Sequence, residues 1–294
     1  MKLSILTMIG NEKETAEQRQ DPWAEALKCY LDVADEVIVV VGNSEPLLYP
    51  ESIPEGKVIK EIHYLWPYEW SWDELPKHLN AGLKECTGDW VIKCDIDFFF
   101  HEDDLGRIRE HLENARKFPI AGFMKYSFVT CGRAYCKGQY PMALNMKTYG
   151  DLLRFGIATN QQTDLCYPIL SSKIDEKAGL PIGVYPFNQM HNTGISFYNY
   201  DYTFKTKEKT KEEFWRFAQA YKDFFGSYHW GDSKETAFGV FIEMMRGRLK
   251  NAPYDFSNIG KHPKYIRDKV SQIKPEQFGF DMWQMNQEKQ LDLR

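Results

Sequence analysis

The sequence predicts an α/β protein in which helices flank a mostly parallel central sheet. Residues 36–41 read EVIVVV, a β-branched run of the kind that a parallel sheet buries on both faces. Strand and helix patterns alternate over the first 130 residues, as in consecutive βαβ units. Two carboxylates, Asp95 and Asp97, end an apolar strand, where open α/β sheets form their ligand crevices.

Each element of the first half has its own local signal. Residues 2–8 predict a buried first strand, and Asp21 with Pro22 provides an N-cap and first-turn pair for the helix that follows. Strands and helices then continue to alternate, near residues 58–65, 71–86, 89–96, 103–117 and 120–129.

The second half has weaker signals. Residues 131–189 are aromatic and punctuated by Gly and Pro, which predicts a loop-rich region. A strand is expected at 194–204, followed by two helices. Thr210 with Glu213 indicates a capping box for the first of these helices, and Asp232 with Glu235 indicates one for the second.

Composition excludes several classes of protein. The formal charge of −5, with both signs interspersed, argues against a nucleic-acid binder. No apolar run approaches the length of a membrane span. The six cysteines lack both C-x-x-C spacing and the density of a disulfide framework, which predicts mostly buried thiols in a reducing cytoplasm.

The segment DWVIKCDID at 89–97 carries the clearest chemistry. Acidic residues are depleted in strands, and ionised carboxylates that are buried together repel each other. Asp95 and Asp97 therefore require a cation or exposure to water, and their i, i+2 spacing places both on one side of an extended strand.

Several motifs stand in a fixed order over about 100 residues. The first strand ends in TMIGNE at 7–12, the second ends in VGNS at 41–44, and a helix carries Asn80-Ala-Gly82 before the Gly88-Asp89 that opens the D-x-D segment. This order of motifs resembles glycosyltransferase family 2. Many relatives have an Asp after the second strand, where this chain has Gly42-Asn43-Ser44. The identity of the donor base is therefore left open.

The resemblance implies a GT-A fold, a nucleotide-sugar donor, a hydroxyl acceptor such as a glycan, and Mn²⁺ or Mg²⁺ on the D-x-D. The length of the chain favours one large domain, at 1–250, with a C-terminal extension at 251–294. Within that domain, 1–130 is the donor half and 131–250 is the acceptor half. The candidate donor contacts are Thr7, Asn11, Glu12, Asn43 and Asp95, and the metal ligands are Asp95 and Asp97.

Transfer with inversion, which the resemblance also implies, needs a base for the acceptor hydroxyl. Asp232 stands before a helix, as the base of this family often does, although a capping role explains it too. Asp201 and Asp164 are the rival candidates.

Two histidines are candidates for completing the metal shell. His262 lies in a Gly-x-His-Pro element seen late in some relatives, and it also suits a helix start before Pro263. His191 precedes a predicted strand and equally suits a packed or exposed position.

Other side chains have weaker functional readings. The aromatic residues of 66–72 suit packing better than sugar stacking. Lys77, Arg133 and Lys137 are candidates for phosphate contacts, although most lysine and arginine side chains are simply solvated.

Two other functions fit parts of the pattern. A sugar-nucleotide nucleotidyltransferase would need a Gly-rich, Arg-containing loop after the first strand, whereas residues 8–13 have one Gly and no Arg. A catalytically silent carbohydrate-binding relative would have no need for two carboxylates that hold a metal.

Overall fold

A computed structural model describes most of the chain, at residues 1–10, 18, 20–42, 47, 53–67, 71–161, 164–226 and 230–280. These residues form an α/β fold with a large sheet flanked by helices and a smaller four-stranded sheet. The predicted fold class is confirmed.

The first half of the large sheet is parallel throughout. Its elements are β1 (Leu3–Ile9), α1 (Trp23–Val33), β2 (Glu36–Val41), β3 (Val58–His63), α2 (Glu74–Leu83) and β4 (Trp90–Lys93). The strand order is β3-β2-β1-β4. β2 has the predicted limits and is buried at every residue, because strands pair on both of its edges and helices cover its faces.

The remaining elements extend the sheet and add a second layer. They are β5 (Phe98–Phe100), α3 (Leu105–Asn114), β6 (Ile120–Thr130), β7 (Arg133–Asn145), α4 (Met146–Tyr149), β8 (Leu153–Phe155), β9 (Ile157–Ala158), β10 (Pro168–Asp175), β11 (Leu180–Val184), β12 (Met190–Asn199), α5 (Lys207–Phe225), α6 (Lys234–Lys250), β13 (Tyr254–Asp255) and α7 (Arg267–Ser271). Short 3₁₀ turns occupy Glu102–Asp104, Phe187–Gln189 and Ile259–Lys261.

Strand direction in the second half of the sheet decides where the site lies. The order continues β4-β7-β6-β12-β5, with β13 on β7. β7 is antiparallel to both β4 and β6, whereas β12 is parallel to β6. The carboxyl ends of β4 and β12 therefore lie at the same edge of the sheet.

Residues 131–189 contain more regular structure than the sequence indicates. They hold β7 and a separate sheet of order β8-β10-β11-β9. β7 carries Gly138 and Pro141 beside irregular pairing with β6, and β10 is exposed at residues 172–174. Short strands with breaks and with polar exposed faces lack the apolar runs that identify a strand in sequence.

Two cores sandwich the large sheet. α1 and α3 cover one face, and α2 with the small sheet covers the other. A third core joins α5 to α6, and Ile266 and Val270, at α7, pack in the first core.

No helix in the described part of the chain is long and apolar enough to cross a bilayer. All six cysteines are free thiols, and four of them are buried.

A buried carboxylate joins β2 to the segment before β4. Glu36 accepts hydrogen bonds from the Ser4 hydroxyl and from the Thr87 backbone N–H at 2.6 Å, and it pairs with Lys2 at 2.9 Å. Burial acts to raise the pKa of Glu36, but these hydrogen bonds outweigh it and lower the pKa to about 2.

Glu36→Gln is expected to lower the free energy of unfolding by roughly 2 to 3 kcal/mol at neutral pH. Because the folded-state pKa lies below the unfolded one, the stabilisation is present above about pH 4.5 and is lost as pH falls towards 2. Urea unfolding at pH 7 and at pH 3 measures both effects. A variant as stable as the wild type at pH 7 would contradict this account.

Candidate active site

The D-x-D segment lies where the chain crosses from the middle of the sheet to its far edge. β4 ends at Lys93, and β5, which begins at Phe98, pairs with β12. The hydroxyl of the buried Tyr30 on α1 donates to the carbonyl oxygens of Asp95 and Phe98. The Tyr200 N–H donates to the Asp97 carbonyl at 2.9 Å. These bonds fix the backbone between the two strands.

The two carboxylates of the D-x-D have different surroundings. Asp95 is 39% exposed at its side chain and pairs with the buried Lys93 at 2.7 Å. Asp97 is partly buried, and its Oδ1 is fully buried with no hydrogen-bond partner among the residues that the structure describes. Burial raises the pKa of Asp97 well above its usual range, and the charges of Asp201 and Asp95 raise it further.

Asp201 joins this pair from β12, the strand whose carboxyl end shares the same edge. It follows Asn199, the last residue of β12, and its backbone N–H is held by the Asn199 side chain at 2.8 Å. Burial raises the pKa of Asp201 to about 6 in spite of the positive charge of Lys205. A carboxylate with such a pKa is suited to accept a proton near neutral pH.

A buried lysine balances part of this negative charge. Lys205 is 6% exposed at its side chain and pairs with Asp21 at 2.8 Å and with Glu213 at 2.6 Å.

The predicted N-cap role of Asp21 is wrong: α1 has no side-chain cap, and Asp21 pairs with Lys205 instead. Glu213 likewise lies inside α5, whose N-cap is Thr206 rather than Thr210.

Lys205→Met is expected to lower the free energy of unfolding by about 3 to 5 kcal/mol, because it leaves Asp21 and Glu213 buried without their common cation. Chemical denaturation measures the loss, and Lys177→Met, at an exposed lysine, is the matched control. If the two variants were equally stable, the Lys205 ion pairs would not support the fold.

The carboxylates and Lys205 line a cleft of about 300 Å³. Its walls come from the ends of β1, β4 and β12, from α2 and from α5. The lining residues are Met8, Gly10, Asp21, Trp66, Leu75, Asp95, Ile96, Asp97, Asp201, Tyr202, Lys205, Glu213, Arg216 and Phe217. The sequence did not single out Tyr202, Lys205 or Arg216, because α5 and the turn before it reach the cleft only through the tertiary fold.

The donor contacts predicted at the end of β1 have mixed outcomes. Thr7 is fully buried within the sheet and does not line the cleft, whereas Met8 and Gly10 do. Asn11, Glu12 and Asn43 lie outside the described residues. Gly42, at the end of β2, packs so closely against Trp66 and the Gly10 carbonyl that a Cβ there would collide with both.

The aromatic loop is packed, as the sequence favoured. Trp66 is 6% exposed and stacks on the buried His78, with ring centroids 3.9 Å apart. Trp72 packs edge-on against Phe217 with centroids 4.8 Å apart. Tyr68 and Trp70 lie outside the described residues.

The structure does not bring the two histidines to the carboxylates as available ligands. His262 is buried, and its ring nitrogens contact the Tyr200 hydroxyl at 2.7 Å and the Phe256 carbonyl at 3.0 Å. His191 lies at the start of β12, whereas Asp201 follows its end. Ten residues of strand separate the two by more than roughly 20 Å.

Asp232 lies outside the cleft lining, and the cap of α6 differs from the predicted one. Ser233 is the N-cap of α6 and forms a capping box with Thr236. The Asp232 carboxylate accepts a hydrogen bond from the Thr236 hydroxyl at 3.1 Å.

Asp164 also lies outside the cleft lining. Its carboxylate accepts a hydrogen bond from the Cys166 backbone N–H at 3.0 Å, within a local turn. Lys77 is paired with Asp73 and Glu74.

Within the described residues, no three His, Cys, Asp or Glu side chains converge as a complete metal shell. The donor set at the D-x-D nevertheless suits a hard cation, because Asp97 Oδ1 is buried and unpartnered beside other carboxylates. Mg²⁺ is commonly held by one or two carboxylates together with water and substrate phosphates.

The fold and this carboxylate-lined cleft are those expected of a glycosyltransferase. Residues 69–161, which include the D-x-D, match the model of glycosyl transferase family 2. The match confirms, over these residues, the resemblance predicted from the motifs.

Similarity to individual proteins is remote. S. aureus TarS 1–349 is 12% identical with a TM-score of 0.37, covering 83% of this chain and 71% of that one. Its complex with UDP-GlcNAc is 10% identical with a TM-score of 0.36, covering 86% of this chain and 74% of that one. The bifunctional IspDF from Campylobacter jejuni is 14% identical with a TM-score of 0.31, covering 63% of this chain and 49% of that one. No curated protein matches the sequence.

Proposed function

We propose that this protein transfers a sugar from a nucleotide-sugar donor to a hydroxyl acceptor, with inversion, and that a divalent cation assists. The observation that carries the proposal is the meeting of Asp97 and Asp201 in one cleft, with one oxygen of Asp97 buried and unpartnered. Such a carboxylate is costly to the fold unless it serves a ligand.

Asp97 and Asp95 would hold Mn²⁺ or Mg²⁺ against the diphosphate of the donor. When bound, the cation neutralises the negative charge that develops on the departing nucleoside diphosphate. The cleft adds fixed positive charge through Lys205 and Arg216, and Trp66 supplies a flat wall. The donor thus enters a site whose charges are already in position.

Asp201 is the base that the geometry favours. It lines the cleft beside Asp97, whereas Asp232 and Asp164 do not. The acceptor oxygen bonds to the anomeric carbon while its proton passes to Asp201. The bond from that carbon to the diphosphate oxygen breaks, and its electron pair leaves with the nucleoside diphosphate.

A thermal-shift screen of UDP, GDP, CDP and dTDP sugars, each with and without Mn²⁺, tests the donor assignment. A ligand that binds the folded state raises the melting temperature, by an amount that grows with affinity. The proposal expects at least one donor to raise it more with Mn²⁺ than without. The absence of any shift across the set would contradict it.

A further inference from the structure

The turn between β12 and α5, at residues 200–205, carries three of the residues that line the cleft. They are Asp201, Tyr202 and Lys205. Tyr202 has a φ of 64°, in the left-handed region that residues other than Gly seldom adopt. A backbone conformation of this kind persists only where neighbouring contacts enforce it. The geometry of the turn therefore depends on the segments that pack against it.

One such segment is residues 276–279, called here the C-terminal clamp. The Gly279 N–H donates to the Thr203 carbonyl oxygen at 2.9 Å. The Phe278 N–H donates to the Lys205 carbonyl oxygen, also at 2.9 Å. These two bonds fix the backbone on the α5 side of Tyr202.

The C-terminal clamp also reaches the start of α5. The Lys207 N–H donates to the Glu276 carbonyl oxygen at 3.2 Å. The Gln277 side-chain amide donates to the Phe204 carbonyl oxygen at 2.6 Å, and Thr206 forms an antiparallel bridge with Gln277. The clamp therefore pairs with the chain from the second half of the turn into the first residue of the helix.

Gly279 fits tightly between the turn and the β6–β7 hairpin. A Cβ at this position would lie 2.6 Å from the Thr203 Cγ2 and 2.8 Å from the Thr203 carbonyl oxygen. On its other side, the Gly279 carbonyl oxygen accepts a hydrogen bond from the Cys131 N–H at 2.9 Å. Because Gly279 is held on both sides, an added methyl group would have to displace Thr203 and the turn with it.

The clamp and the strained residue share an apolar contact. Phe278 is 1% exposed, and its ring packs on Phe241 of α6 with centroids 5.5 Å apart. The Tyr202 ring packs edge-on against the same Phe241 with centroids 5.0 Å apart. A shift of the clamp would therefore disturb the packing that holds Tyr202.

The first residue of the turn is tied to the D-x-D and to a second C-terminal residue. The Tyr200 N–H donates to the Asp97 carbonyl oxygen at 2.9 Å. The Tyr200 hydroxyl lies 2.7 Å from a ring nitrogen of the buried His262. Asp201 therefore lies between an attachment to Asp97 at Tyr200 and the attachments of the clamp, which begin at Thr203.

We propose that the C-terminal clamp is a positioning element for the reaction: it holds the turn so that Asp201 stays beside Asp97 in the cleft. None of its residues is among those that line the cleft, so it acts through Thr203 and Lys205 rather than by touching the substrate. This inference rests on the proposed function, since it assigns the support of the proposed base in the same site.

The test is Gly279→Ala, assayed with the donor that gives the largest thermal shift. Release of nucleoside diphosphate with Mn²⁺ measures kcat, with water taking the place of the acceptor, and isothermal titration of the same nucleoside diphosphate with Mn²⁺ measures Kd. Because a misplacement of about 1 Å can cost about 10²-fold in rate, kcat is expected to fall by about 10²-fold while Kd stays within about 3-fold of the wild type. Combining Gly279→Ala with Thr203→Ser, which removes the methyl group nearest the added Cβ, should restore part of the rate.

Gly247→Ala is the matched control, because a Cβ on this exposed glycine of α6 would meet nothing within 4 Å. It should change neither kcat nor Kd. If Gly279→Ala does not fold, Gln277→Ala takes its place, and loss of the hydrogen bond to the Phe204 carbonyl should lower kcat by about 3- to 10-fold at unchanged Kd.

Wild-type kcat in folded Gly279→Ala, or in Gln277→Ala where that variant replaces it, would overturn the inference. So would equal losses in kcat and in affinity, or no recovery of rate with Thr203→Ser, since the clamp would then support the fold at large rather than the base. Failure of the proposed function would appear differently, as absent release of nucleoside diphosphate by the wild type.

Discussion

Asp97→Asn is expected to abolish metal-dependent nucleotide binding and to reduce transfer by at least about 10³-fold, without destabilising the protein. The amide keeps the volume of the carboxyl but lacks the charge that holds a cation. Burial and the neighbouring carboxylates raise the pKa of Asp97, so in the absence of metal its ionised form works against folding as pH rises above about 4. The melting temperature in EDTA at pH 7.5 should therefore equal or exceed that of the wild type.

Nucleotide affinity with Mn²⁺, initial rate and melting temperature are measured on the same preparation. Asp151→Asn, at an exposed aspartate, is the matched control and should change none of them. If Asp97→Asn retained metal-dependent binding, the metal would lie elsewhere. If it unfolded instead, Asp97 would be a structural residue.

Asp201→Asn is expected to reduce kcat by about 10² to 10⁴-fold while nucleotide affinity with Mn²⁺ stays within a few fold of the wild type. Asparagine cannot accept the proton of the acceptor hydroxyl at neutral pH. The split between rate and affinity separates a base from a metal ligand, since a ligand variant would lose both.

Asp232→Asn is the comparison for this prediction. Because Asp232 lies outside the cleft lining and its carboxylate accepts a hydrogen bond from Thr236 at the start of α6, this variant should turn over at close to the wild-type rate. The opposite pattern, with Asp232→Asn inactive and Asp201→Asn active, would return the base to Asp232. Full activity of both would favour a retaining reaction.

Local sequence patterns pointed to the half of the candidate site that is contiguous in the chain. The β2 run has a single reading because its residues are buried on both faces, and the D-x-D was identified because carboxylates are rare at the end of an apolar strand. The sequence alone did not place Asp201 beside Asp95 and Asp97. That position depends on the antiparallel strand β7, which lies between β4 and β6 and makes β4 parallel to β6.

The rest of the site depends on contacts between distant segments. Lys205 pairs with Asp21 across 184 positions of the chain, and in sequence Asp21 before Pro22 has the pattern of a helix cap. The ring nitrogens of His262 are occupied by Tyr200 and Phe256, which a Gly-x-His-Pro pattern cannot indicate. Local propensity cannot predict such pairs because they depend on tertiary packing.

Donor hydrolysis tests the central claim most directly, because it needs no knowledge of the acceptor. Release of nucleoside diphosphate is followed for the donor that gives the largest thermal shift, with Mn²⁺ or with EDTA, in wild-type protein and in Asp97→Asn. The account predicts release by the wild type with Mn²⁺ and little or none with EDTA or in the variant. Equal release by Asp97→Asn, or release by the wild type that is unaffected by EDTA, would contradict it.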